Sequence, residues 1–211
     1  MTARLIRIGV IAIVAFVLGL ILARALWPAR PEIPATELTT ILPQPKALPP
    51  LALVSEAGAV LGPDLFRGHW TLVFFGFTHC PDVCPTTLAM LAQATHALAV
   101  LPPAQRPRVL FVSVDPERDT PAELARYVRF FDPAFLGATG TEAQVAAAAA
   151  AFAVPYAKVP LPDGSYTMDH GTGLYVVAPS GAIAAIASGV RDARALARDY
   201  RKVVGYAGGG A

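Results

Sequence analysis

Apolar residues run without a single charge from Ile8 to Ala23, give way to a stretch dotted with proline, and then recur as shorter runs separated by polar, glycine- and proline-bearing turns. Each run predicts an element. Leu51 to Val54 and Ala59 to Leu61, parted by Ser55-Glu56-Ala57-Gly58, predict a short hairpin. Trp70 to Phe77 is apolar at consecutive rather than alternating positions, the pattern of a strand covered on both faces. Pro85 to Val100 predicts a helix closed by Pro102-Pro103, and Arg108 to Val114 a second buried strand. Thr120-Pro121-Ala122-Glu123 then supplies a cap residue, a first-turn proline and an acid three residues on from the cap, so a helix opens there. Glu142 to Phe152 predicts a third helix, whose alanines Ala146 to Ala151 suit close packing on a sheet. Gly173 to Ala178 and Ala182 to Ala187 predict a hairpin about Pro179-Ser180-Gly181, before a last helix from Arg191 to about Val204. Strands alternating with helices and closed by a hairpin and helix give an α/β fold with a mixed sheet.

The first run changes the picture of where the chain resides. Its 16 uncharged residues fall short of the roughly 20 of a comfortable span, but Arg7 and Arg24 can snorkel and Leu26 and Trp27 extend it into the interface. Residues 1 to 27 therefore predict a membrane anchor, and Ala23-Arg24-Ala25 also fits a signal-peptide cleavage site; either reading exports the domain. With no long arginine- and serine-rich leader, a bacterial inner-membrane route with the domain in the periplasm is expected rather than mitochondrial import. Prolines 28, 31, 34, 43 and 45 predict an extended tether over residues 28 to 46, leaving 47 to 207 as one domain. Of 17 basic and 15 acidic residues, four and two precede residue 46, so the domain is formally neutral. The pI of 8.7 thus carries no argument for nucleic acid as a partner, which would need a clustered basic face.

Candidate chemistry lies at the end of the first buried strand. The chain has two cysteines, Cys80 and Cys84, in Thr78-His79-Cys80-Pro81-Asp82-Val83-Cys84-Pro85. Proline is tolerated in a first helical turn, so a helix beginning at Pro85 puts Cys84 at its cap, where the helix dipole favours thiolate. Four residues along a helix separate the two Cα atoms by roughly 6 Å, within reach of a disulfide, so the pair can chelate when reduced or close when oxidised. Two thiolates with one imidazole make a site that soft sulfur reserves for Cu(I) over Mg, Ca or Mn, while imidazole also accepts Cu(II).

For the third donor, the candidates are His69, His79, His96, His170 and the methionines Met1, Met90 and Met168. His79 adjoins Cys80 and faces away from it if strand geometry persists. His69 in a polar turn and His96 three turns into a helix read as solvated or packing residues. His170 sits in Tyr166-Thr167-Met168-Asp169-His170-Gly171-Thr172-Gly173, a polar loop entering a strand, with Asp169 as a candidate orienting partner. Spacing alone leaves ligand and ordinary loop histidine equally open.

Phe75-Gly76-Phe77-Thr78-His79-Cys80-Pro81-Asp82-Val83-Cys84-Pro85, Ser113-Val114-Asp115-Pro116-Glu117-Arg118-Asp119-Thr120-Pro121 and Asp169-His170 together resemble the Sco/SenC family of copper chaperones, in order from about residue 47 to 205. The resemblance implies a thioredoxin-like fold with an inserted hairpin, and copper held by Cys80, Cys84 and His170. It implies delivery of copper to the dinuclear centre of cytochrome c oxidase, or reduction of the cysteines that receive it, with the copper-receiving oxidase subunit as partner and another copper chaperone or thiol reductase as a second one. One position departs: members of the family usually carry Ser or Thr after Asp-His, and here Gly171 stands there. Asp115 and Asp119 match the family motif as well, and a turn and helix-start pair holding their loop is the reading adopted for them. The same thiol pair is compatible with an exported thiol-disulfide oxidoreductase acting on other clients. A thiol peroxidase fits less well, because no arginine lies within the motif around Cys80 to activate one thiolate.

Overall fold

The computed structural model describes residues 2–26, 32–62 and 64–208, in two compact units. In the first, α1 (Thr2–Leu26) is one uninterrupted helix, and its segment Ile6–Arg24 has a mean hydropathy of 2.7 over 19 residues, long and apolar enough to cross a membrane. Trp27 and prolines 28 and 31, which figured in the interface and tether expectations, lie outside the described residues, as does Met1.

The second unit is built on an eight-stranded mixed sheet. In chain order its strands are β1 (Thr39–Ala47), β2 (Leu53–Ser55), β3 (Val60–Leu61), β4 (Thr71–Gly76), β5 (Arg108–Ser113) and β6 (Leu136–Thr139), then β9 (Leu174–Val177) and β10 (Ala182–Ala187). They lie side by side as β1-β10-β9-β4-β5-β6-β2-β3. β4, β5 and β6 are parallel, and the outer strands are antiparallel to their neighbours. β7 (Tyr156–Pro160) and β8 (Tyr166–His170) form a separate two-stranded hairpin inserted before β9. The helices are α2 (Val83–Leu98), α3 (Pro121–Phe131), α4 (Glu142–Phe152) and α5 (Ala193–Gly208).

Side-chain alternation along β4 accounts for its unbroken apolar run. Leu72 and Phe74 enter a core shared with α2, α3 and α5, whereas Val73 and Phe75 enter a second core shared with α4. Burying such a side chain contributes about 2 kcal/mol, so both faces reward the pattern. The alanine run of α4 puts Ala148, Ala149 and Ala151 in the second core. Thr120 accepts the Glu123 amide, with Pro121 as the first residue of α3, as its capping sequence dictates.

Two expectations change, and one strand was not predicted. The tether does not run to residue 46, because β1 begins at Thr39 and pairs with β10. Pro43 and Pro45 are accommodated because β1 is an edge strand and its register shifts between Ile41 and Lys46. β6 escapes a hydrophobicity reading because Leu136-Gly137-Ala138-Thr139 has no apolar run, although a Cβ on Gly137 would lie 3.1 Å from the Leu124 Cβ, a sign of how closely α3 packs on it. His170 closes strand β8 and does not sit in a free loop.

Candidate metal centre

Cys80, Cys84 and His170 converge at the carboxyl end of β4: one donor atom from each lies within 4.8 Å of the others. The chain leaves β4 at Gly76, and the Cys80 amide donates to the Phe77 carbonyl at 3.3 Å, turning the backbone toward α2. α2 starts two residues earlier than its proline suggested, at Val83 with Asp82 before it, because the amides of the first turn need no intrahelical partner and Pro85 fits there. Cys84 is therefore inside the first turn. Its amide donates to the Cys80 sulfur at 3.4 Å, so Cys80 and not Cys84 lies off the helix terminus.

The environments of the two thiols differ. Cys80 is half-buried and Cys84 is fully buried, and both are free. The Cys84 sulfur rests on Gly76, where a Cβ would come within 2.7 Å of it and within 2.7 Å of Phe111 Cε2. Burial pushes the Cys84 thiol far above the ordinary thiol range, against a smaller lowering by the Phe77 backbone, and the neighbouring Cys80 adds to the rise. This corrects the expectation that the helix dipole holds Cys84 as thiolate: desolvation outweighs it in the absence of a cation.

His170 reaches the pair from the end of β8. Its Nδ1 lies 3.1 Å from the Gly171 carbonyl, which can only accept, so this contact needs a proton on Nδ1. Nε2 faces the Cys84 sulfur at 3.6 Å, a contact in which sulfur and nitrogen share one proton. The space between sulfur and nitrogen that holds this proton is where a cation would sit. Phe74 and Phe77 meet the imidazole edge-on with centroids at 6.3 and 5.9 Å, restricting its rotation. The Gly171 carbonyl, and not the exposed Asp169, orients the ring. Because this contact uses the backbone, the glycine at 171 retains it.

The remaining candidates stand apart. His69 and His96 are exposed, Met90 is in the core, and Met168 packs against both cores. His79 joins a different group, with Nδ1 3.6 Å from Asp119. Asp119 is fully buried and accepts from the Thr78 amide at 2.9 Å, the Thr78 hydroxyl at 2.6 Å and the Ser113 hydroxyl at 2.5 Å. Its oxygens hold the loop after β4 against the loop after β5, the fastening role expected of the Asp115 and Asp119 pair.

Residues 41–205 match the SCO1/SenC family. The chain belongs to that family. It is 39% identical over 152 residues to the mitochondrial SCO2 homolog of Bos taurus, an alignment covering 72% of this chain and 57% of that protein. It thus spans little more than half the length of that relative. Among solved structures, Bradyrhizobium japonicum ScoI with copper bound superposes with a TM-score of 0.67 at 36% identity, covering 74% of this chain and 99% of that one. The solution structure of apo Sco1 from Thermus thermophilus gives 0.68 at 38% identity, over 77% and 94%. For a SCO1/SenC member the mixed sheet flanked by helices, with its inserted hairpin, is the thioredoxin-like arrangement the resemblance implied.

Sequence reasoning quoted Gly76, Phe77, Tyr166 and Arg118 within its motifs but assigned none of them a role in this region. Gly76 had a signal, since a lone glycine among bulky strand residues marks a close approach. The other three had none, because their roles depend on where β8 folds back.

Proposed function

We propose that this chain is a copper chaperone tethered to the bacterial inner membrane by α1, with its domain in the periplasm, and that Cys80, Cys84 and His170 are its copper ligands. The observation that carries the reading is the convergence of two thiols and one imidazole within 4.8 Å, from segments 86 residues apart. Two sulfurs and one nitrogen suit Cu(I), and Cu(II) is tolerated by the imidazole. The copper-bound relatives support the same cargo. Copper displaces the proton shared by Cys84 and His170, so uptake expels at least one proton and release is favoured by acid.

The recipient in this reading is the copper-receiving subunit of cytochrome c oxidase. A second reading, reduction of that subunit's disulfide, draws on the half-exposed Cys80 beside the buried Cys84, both free. Mixing the copper-loaded full chain, in detergent, with the reduced, metal-free dinuclear copper domain separates the two. Transfer of copper with loss of activity in His170→Ala supports the chaperone. Reduction of the oxidised recipient by the copper-free chain, undiminished in His170→Ala and without any copper transfer, supports the reductase.

A further inference from the structure

The hairpin that carries His170 makes no ladder with the main sheet, so something else must fix its position. The loop between β5 and α3 does so at the start of β8. Arg118 Nη1 donates to the Tyr166 carbonyl at 2.9 Å, and the guanidinium carbon lies 3.7 Å from the centre of the Tyr166 ring. Arg118 Nε donates to Asp115 Oδ2 at 2.5 Å, and the Tyr166 hydroxyl donates to Asp115 Oδ1 at 2.9 Å. The three side chains form a closed ring around a carboxylate that is only 2% exposed. On β7, Lys158 reinforces it from outside, 2.6 Å from Glu117 and 4.0 Å from the same tyrosine ring.

Two routes lead from this ring to the imidazole. Tyr166 opens the five-residue strand that His170 closes. The guanidinium also lies 5.9 Å from the centre of Phe77, whose other neighbour, edge-on at 5.9 Å, is His170. Arg118 thereby holds both the strand that delivers the imidazole and the ring that limits its rotation.

We propose that Arg118 and Tyr166, acting through Asp115, are positioning residues that hold the hairpin so that His170 Nε2 is presented to the two thiols before copper arrives. The proposal rests on the three-ligand reading above. Without the latch, His170 must be ordered at the moment of binding, and that entropy is subtracted from its contribution to affinity. The latch touches no donor atom, so its effect must vanish when the imidazole is absent.

The test is a double-mutant cycle on the reduced full chain in detergent, with Cu(I) affinity measured by chelator competition. Arg118→Met and, as the milder change that keeps the ring, Tyr166→Phe are each made in the wild-type and His170→Ala backgrounds, with thermal melts to verify folding. Arg118→Met is expected to weaken Cu(I) about tenfold in the wild type and not at all in His170→Ala, with Tyr166→Phe giving a smaller loss of the same kind. The His170 ring signals in nuclear magnetic resonance should broaden in both variants without copper. Equal loss in both backgrounds, or no loss in either, overturns the latch while leaving the three ligands in place. Unchanged affinity in His170→Ala alone overturns the three-ligand reading, and with it the latch. If Arg118→Met does not fold, the same comparisons on Tyr166→Phe decide.

Discussion

At Gly76 the backbone leaves no room for a side chain, because two atoms, a cysteine sulfur and a phenylalanine ring carbon, already occupy the place a Cβ would take. Gly76→Ala should therefore cost about 1–3 kcal/mol through overpacking and weaken copper binding in the same variant, since Cys84 must move. Thermal melts and a copper titration check both; a lowered melting temperature with unaltered affinity would separate Cys84 from the centre. The burial that packs Cys84 also sets the pH dependence. With its folded pKa above that of the unfolded chain, Cys84 keeps its proton at neutral pH, and copper must displace it. Affinity should rise with pH by about tenfold per unit for each proton expelled, and fall in acid. The copper-free protein follows from the same sign. Its stability is fully present below the thiol's ordinary value of 9.0 and declines above it, where the unfolded chain ionises first, and Cys84→Ser should flatten that decline in alkaline melts.

Among the elements, β1 shows what proline content can and cannot decide. Read as a tether, Pro43 and Pro45 instead sit in a strand at the sheet edge, where proline is tolerated, and proline content could not reveal that Asp199 on α5 organises the approach to it. That buried carboxylate accepts from the amides of Glu37 at 3.0 Å, Leu38 at 2.7 Å and Thr39 at 3.1 Å. Asp199→Ala leaves three amides without their acceptor and should destabilise the domain by about 3 kcal/mol in urea unfolding, with Asp199→Asn milder. The end of α4 gives the opposite case. Ala153 closes it at φ 57°, a left-handed conformation that costs a residue with a Cβ, so Ala153→Gly should stabilise by about 1 kcal/mol in the same assay. The central strands and capped helices were legible because burial on both faces and capping chemistry leave local marks. The β7–β8 hairpin was not: Tyr156-Ala157-Lys158-Val159-Pro160 is short, interrupted by a lysine, ended by a proline and largely exposed, and its pairing depends on a partner rather than on composition.

For the whole molecule, the parallel order β4-β5-β6 brings the ends of two neighbouring strands, each followed by a motif loop, to one edge of the sheet, and the inserted hairpin returns to that edge with the third donor. The cysteine pair was legible from spacing, and local context set His170 apart from three other histidines, but only resemblance made it a ligand rather than an ordinary loop histidine, because convergence is a property of topology. The first unit makes its own prediction. The full chain should stay with membranes after alkaline carbonate washing, and the chain begun at Ile33 should be released. The central claim is that two sulfurs and one imidazole nitrogen hold one copper, and X-ray absorption of the copper-loaded full chain reads that directly. The account predicts two sulfur scatterers and one imidazole at copper in the wild type, with the imidazole lost in His170→Ala. A copper shell without imidazole in the wild type, or one unchanged in His170→Ala, would contradict it.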